Sequence, residues 1–369
     1  MSQIISHSKS LDLLRFPLAV VILIVHVFNT NGITFQGITS GFEKYPLFMG
    51  VNHFIDGFLR SQSVPIYYFI SGYVFFLGVK MTKETYIRKF RNRVNTLLIP
   101  YIIWNLFALL LLLITVCPPF NQFRSNQSIF TPSLSGFLSA FWFYDGSLEG
   151  ISINSGFPIS QPLWFIRNLM VVVVSTPLIH FLLKKTKYYL IVVLGIFWFL
   201  SHYYGIKTYD FDVAFLFFSW GAYMSIFQKE MITIFKRFFK SSVFLYVTLG
   251  LSYIIVANHC PEFKIFIKKL NVVIGLIFAY NLSSWLLLHN KCDVNSFLSS
   301  SSFFIYVAHG HIARIILKLL YIFFKPASSL SLLAVHLLTI LITITVLLST
   351  FYLLKRYTPK LLNILTGRK

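Results

Sequence analysis

A helix that crosses a bilayer needs about 20 mostly apolar residues. Ten stretches of this chain approach that length: 14–33, 62–80, 96–116, 162–183, 188–205, 210–228, 242–258, 267–288, 299–323 and 330–354. Apolar residues make up 56% of the 369, and charged residues only 12%, about half of the ~25% with which a soluble domain covers itself. A water-soluble globule is therefore excluded, and so is a disordered chain, which is poor in apolar residues. No coiled-coil or collagen repeat is visible, which excludes a fibre. The expected fold class is all-α, a polytopic membrane protein of about ten transmembrane helices forming one domain, 1–369. No small-residue cleavage pattern follows the apolar run 16–28, so the first helix is expected to be retained.

Lys and Arg number 32 against 11 Asp and Glu. In a soluble protein such a surplus would point to nucleic acid. In a membrane protein it reports topology, because basic residues gather in cytoplasmic loops. With the N-terminus inside, twenty-one basic residues fall on the inner side and nine on the outer side, while Arg167 and Arg314 lie within spans. An odd number of helices would put half of the loops on the wrong side, so both termini are expected in the cytoplasm. Cys117, Cys260 and Cys292 lack metal-ligand or redox spacing, and neither an HExxH motif nor a nucleotide-binding glycine loop occurs. No metal and no tightly bound cofactor is expected. Two expected outer loops, 34–61 and 117–161, are long. Long loops are often functional, although the Ser, Asn and Pro of the second equally suit a solvated connector.

Ionisable groups inside a bilayer are costly and are functional candidates by default. Arg15 and His26 stand eleven residues apart in the first helix. At ~100° per residue this is within ~20° of three full turns, so both lie on one face, and the rise between them is ~16 Å. Arg15 is thus expected at the cytoplasmic surface and His26 near mid-membrane. A cation at the entrance and an imidazole at depth suit an anionic reagent that enters from the cytoplasm and reacts in the core. An interfacial Arg and a structural His would give the same spacing.

Five short motifs add to this pair: Leu13-Leu14-Arg15-Phe16 leading to His26; Val64-Pro65-Ile66-Tyr67-Tyr68-Phe69-Ile70-Ser71-Gly72-Tyr73; Leu97-Leu98-Ile99-Pro100-Tyr101-Ile102-Ile103-Trp104; Pro162-Leu163-Trp164-Phe165-Ile166-Arg167-Asn168-Leu169; and Ser302-Phe303-Phe304-Ile305-Tyr306-Val307-Ala308-His309. In this order, from about residue 10 to 351, the set resembles the acyltransferase 3 family, integral-membrane O-acyltransferases of bacterial cell-surface carbohydrates. The resemblance implies a catalytic role for Arg15 and His26, and acetyl-CoA or another acyl-CoA as the cytoplasmic donor. It places Tyr67 and Tyr68 where the family usually has two Phe, which adds hydroxyls to the site. Some members carry a C-terminal extracytoplasmic esterase-like domain, which is not expected here.

The residues also carry a physical reading of their own. Arg88, Lys89, Arg91 and Arg93 form a dense inner-surface patch, and Arg forks suit the phosphates of CoA; attraction to anionic lipid would produce the same patch. Ser71 is a candidate donor to the acceptor substrate, with Gly72 beside it permitting close helix packing. Trp164 offers a stacking face for a sugar or belongs to the interfacial aromatic belt. Arg167, without an acidic neighbour in sequence, either snorkels outward or binds the acceptor. Tyr306 and His309, three apart on one helix face, either contact the acceptor or pair with each other. His180, His311, His336 and Arg314 are read as structural, and Asp12 as a partner of Arg15 or a cap.

The expected reaction moves an acyl group from cytoplasmic acyl-CoA to a hydroxyl of a cell-surface carbohydrate or its lipid-linked precursor, in the bacterial inner membrane and among membrane lipids, without nucleic acid. An imidazole, with a reference pKa near 6.5, suits a general base at neutral pH. Direct attack by the acceptor and relay through an acylated His26 both fit the sequence. A polysaccharide exporter or flippase on the same membrane fold is the alternative, though such a protein has no need of a CoA anchor.

Overall fold

A computed structural model of the chain describes residues 2–28, 33–35, 38–60, 62–114, 134–143, 145–148, 151–154, 156–256 and 260–367, with the side chains of 2–8, 33–40, 134–136, 145–154 and 261–262 left aside. Cys117 and the 117–133 part of the expected outer loop lie outside the described residues. The helices are α1 (Ser2–Val27), α2 (Pro46–Ile55), α3 (Ser63–Phe76), α4 (Lys83–Arg93), α5 (Ile99–Ile114), α6 (Leu134–Ala140), α7 (Trp164–Val174), α8 (Thr176–Thr186), α9 (Tyr189–Ser201), α10 (Phe211–Ile226), α11 (Met231–Lys236), α12 (Phe239–Val256), α13 (Pro261–Leu288), α14 (Ser296–Phe324), α15 (Ser329–Tyr357) and α16 (Pro359–Thr366). Two small antiparallel hairpins, Ile33–Phe35 with Ile38–Ser40 and Asp145–Leu148 with Ile151–Asn154, are the described exceptions to an otherwise helical fold.

Each of the ten expected spans coincides with helix, but fewer reach crossing length. Among the described residues six are long and apolar enough: Lys9–Val27, Lys83–Ile114, Phe239–Val256, Phe263–Leu288, Ser296–Phe324 and Ser329–Tyr357. A seventh is complete if Gln161–Val174 and Thr176–Thr186, bent by 62°, count as one. The second, fifth and sixth expected spans correspond to α3, α9 and α10, of 14, 13 and 16 residues. At 1.5 Å per residue these run only ~20–24 Å, short of a ~30 Å hydrocarbon core. Left-handed turns end them early: Gly78 (φ 65) follows α3, while Gly205 (φ 64), Tyr209 (φ 49) and Asp210 (φ 62) separate α9 from α10.

The chain divides into two compact units, Met1–Ile22, His53–Arg91 and Asn168–Ser302 in the first, and Leu23–Asn52, Asn92–Arg167 and Phe303–Lys369 in the second. In the first, α3 and α10 touch backbone to backbone through reciprocal glycines. A Cβ on Gly72 would lie 2.0 Å from the Phe218 carbonyl oxygen, and one on Gly221 would lie 2.0 Å from that of Phe69. No residue with a side chain fits at either point without separating the helices. In the second unit, α16 packs on α5, where the Trp104 indole donates to the Leu365 carbonyl at 3.0 Å. The buried His336 of α15 is ringed by Phe28, Phe42, Phe48 and Tyr321, with centroids 4.7–6.0 Å away.

Candidate active site

The first unit holds Arg15. Its guanidinium pairs with Asp12 one turn earlier, Nη1 to Oδ1 at 3.1 Å, with both side chains still partly open to solvent. Its carbonyl accepts the Tyr67 hydroxyl at 2.6 Å. Pro17 lies inside α1 and has no N–H to give to the Leu13 carbonyl four residues earlier, and the bond from α3 holds α1 at Arg15, between that carbonyl and the proline. The first two motifs of the sequence thereby meet at Arg15, through the first of the two adjacent tyrosines. Ser71 is half-buried beside the Gly72 contact.

On α4, Arg88 and Arg91 are exposed and Arg93 is half-buried. Lys89 is engaged differently from its neighbours. Its ammonium donates to the Phe75 carbonyl near the end of α3 and sits 4.8 Å over the Phe75 ring. The open cations of the patch in the first unit are thus the two arginines, three residues apart on one helix face.

The second unit gathers the other motifs around α14. Gln161–Leu163 forms a 3₁₀ turn that leads into α7, and Pro162 permits that start because its missing N–H would be unused there. Along α14 the side chains then meet this turn in order. Tyr306 donates its hydroxyl to the Pro162 carbonyl, Gly310 faces the Pro162 ring, which a Cβ would approach to 3.0 Å, and Arg314 Nη2 donates to Gln161 Oε1 at 2.9 Å. His311 Nε2 lies 3.2 Å from the Ser160 hydroxyl. The Ser160 N–H donates to Asn105 Oδ1 at 3.1 Å, and Asn105 Nδ2 donates to the Tyr101 carbonyl at 2.8 Å. The sequence does not single out Asn105 or Ser160, and it reads His311 as structural; all three line this turn. The available signal was polar residues inside apolar runs.

Arg167 is fully buried rather than directed outward. Its Nη1 donates to the Trp142 and Gly156 carbonyls, both at 2.8 Å, and the guanidinium lies 4.8 Å over the Phe143 ring. It clamps the end of the long loop onto α7. Trp164, on the first turn of that helix, is half-buried and packs against Phe157 at 6.3 Å.

His26 and His309 come together in this unit. Their ring centroids are 5.1 Å apart at an interplanar angle of 46°. The His26 ring is exposed, whereas His309 is completely buried. His309 Nδ1 lies 2.6 Å from the Tyr306 carbonyl and 3.2 Å from that of Ile305. A carbonyl can only accept, so Nδ1 carries the proton, and in the neutral ring Nε2 presents a bare lone pair. That Nε2 is buried and has no hydrogen-bond partner. Buried polar atoms are rarely left so, and a lone pair beside an accessible imidazole is a seat for a donor.

With this geometry established, comparison with known proteins decides the family. The family model for an acyltransferase domain matches residues 8–354, nearly the whole chain. The chain belongs to the acyltransferase 3 family. No curated protein and no solved structure matches it. As a member of the acyltransferase 3 family the protein is a transferase of the membrane-embedded kind, in keeping with the six apolar helices of crossing length among the described residues.

Proposed function

We propose that this chain is an O-acyltransferase that moves an acyl group, in the first instance acetyl, from cytoplasmic acyl-CoA to a hydroxyl of a cell-surface carbohydrate or its lipid-linked precursor, in the bacterial inner membrane with both termini cytoplasmic. The observation that carries the reading is the His26–His309 pair, one ring accessible and the other buried with an orphaned lone pair.

The chemistry runs as follows. An imidazole nitrogen of His26 accepts the proton of the acceptor hydroxyl as its oxygen attacks the thioester carbonyl. The tetrahedral intermediate expels the CoA thiolate, and the proton on His26 passes to that sulfur. The Nε2 lone pair of His309 accepts a hydrogen bond, either from the substrate hydroxyl or from the His26 ring, and so orients the proton to be moved. Arg15, eleven residues earlier on α1, together with Arg88, Arg91 and Arg93, supplies positive charge for the phosphates of CoA. Ser71, Trp164 and Tyr306 remain candidates for contact with the acceptor, while Arg167 supports the site through the loop it clamps.

The test is to incubate membranes containing the protein with acetyl-CoA radiolabelled in the acetyl group and to follow label into glycan, released again by mild base as expected of an ester. Transfer above membranes lacking the protein supports the reading, and label that never leaves CoA contradicts it.

A further inference from the structure

Between α2 and α3 the chain makes a five-residue π turn, Asp56–Arg60. Such turns are rare and frequently found at functional sites; a second one, Val94–Leu98, joins α4 to α5. The first is fixed on several sides. The Gly57 carbonyl accepts from Asn271 Nδ2 at 2.8 Å, and the Phe58 carbonyl accepts the Tyr246 hydroxyl. Gly250 makes room for the Phe58 ring, which a Cβ there would approach to 2.2 Å.

The turn delivers Asp56 and Arg60 to two lysines of α13. Asp56 Oδ1 takes Arg60 Nε at 2.6 Å and Lys268 Nζ at 3.3 Å, and its other oxygen accepts the Tyr253 hydroxyl. Lys264 Nζ lies 5.4 Å over the Tyr253 ring. Arg60 and Lys264 both act on Lys268 as repelling charges. Two cations therefore bond one carboxylate, and a third lies over the tyrosine that the same carboxylate holds. Among the described side chains this leaves a surplus of two positive charges; the side chain of Glu262, on the first turn of α13, is not among them. Lys269 is the contrast, because its ammonium donates to the Trp198 and Phe199 carbonyls at the end of α9 and is accounted for by that role.

Like charges held together under partial burial are costly unless an anion joins them. The cluster sits at the end of α3 opposite Phe75 and the basic helix α4, ~21 Å away by helical rise, toward the other side of the membrane. On the topology expected from the charge bias this is the outer side, where the positive-inside rule gives no reason for cations to collect. We propose that Arg60, Lys264 and Lys268 bind the phosphate of a lipid headgroup. The headgroup belongs either to a polyprenyl diphosphate, the kind of lipid that carries a glycan, or to an anionic phospholipid. Naming the former as the acceptor's carrier would rest on the acyl-transfer reading; the binding itself does not.

The experiment contains no acyl donor. Full-length protein in phosphatidylcholine nanodiscs is titrated with farnesyl diphosphate, and a second set of nanodiscs carries phosphatidylglycerol, with unfolding temperature and tryptophan fluorescence read in both. Lys264→Gln removes no bond to Asp56 and leaves Arg60 and Lys268 on it, so the variant folds; Lys268→Gln is read in parallel, and the exposed Lys325→Gln serves as control. Binding of the diphosphate that either cluster variant weakens about tenfold or more, with the control unchanged, supports the site and a diphosphate ligand. Stabilisation by phosphatidylglycerol alone, lost in the cluster variants, supports the site with a phospholipid as its ligand. Identical responses of wild type and both cluster variants to both probes would overturn the proposal and leave the cations to Asp56.

Discussion

The imidazole of His26 lies 5.1 Å from that of His309, centroid to centroid, although 283 positions separate them in the chain. Because His309 Nδ1 faces two backbone carbonyls, its Nε2 must act as an acceptor. The pair thus places a hydrogen-bond acceptor of fixed tautomer behind an accessible imidazole. His309→Phe keeps a ring in the buried position and deletes that lone pair. The expected result is a folded protein whose kcat for acyl transfer falls about a hundredfold or more, with the KM for acyl-CoA little changed. An unaltered kcat would return His309 to a packing role.

Variants at Arg15 and Tyr67 are expected to separate donor binding from helix support. Arg15→Ala is expected to raise the KM for acyl-CoA severalfold, and added salt should raise the wild-type KM in the same direction, since exposed charges are screened over ~8–10 Å. Tyr67→Phe removes only the hydroxyl that donates to the Arg15 carbonyl and should cost about 1 kcal/mol of stability with a smaller change in KM. Steady-state kinetics beside thermal unfolding distinguish the two effects.

Gly72 and Gly221 should tolerate no side chain. Either Gly→Ala change drives a methyl into a facing carbonyl, so α3 and α10 must move apart, at a cost of about 1–3 kcal/mol or more. Both variants are expected to accumulate poorly and unfold at lower temperature. An unfolding temperature equal to that of wild type would show that the helix pair has slack.

Arg167 is expected to behave as a clamp. Arg167→Met leaves the Trp142 and Gly156 carbonyls without their donor, a loss of about 1–3 kcal/mol. Thermal stability should fall, and limited proteolysis should cut the 142–160 region sooner than in wild type. Loss of acyl transfer in a variant of unchanged stability and protease resistance would instead indicate direct contact with the acceptor.

Hydropathy made all ten helical segments legible, but it could not measure α3, α9 or α10. A window average carries on through Gly78, Gly205 and Asp210, whose positive φ angles turn the chain. The spacing of Arg15 and His26 within one helix was readable because helical geometry is local. The approach of His309 to His26, and of Tyr306 to Pro162, depends on how distant segments pack, which periodicity does not encode. Arg167 shows the same limit: its isolation from acids in sequence left its partners open, and they proved to be backbone carbonyls. The Asp56–Arg60 pair left a faint trace, opposite charges four apart, but nothing in the local sequence marks the π turn or the two lysines of α13 that meet it.

His26 carries the central claim. The decisive measurement is transfer of radiolabelled acetyl from acetyl-CoA to glycan by purified membranes containing equal amounts of wild type, His26→Ala and His26→Gln, with insertion and unfolding temperature recorded for each. Both variants are expected to be inserted and folded yet to transfer no label above background, because neither Ala nor Gln can take the hydroxyl proton. Normal transfer by folded His26→Ala would contradict this.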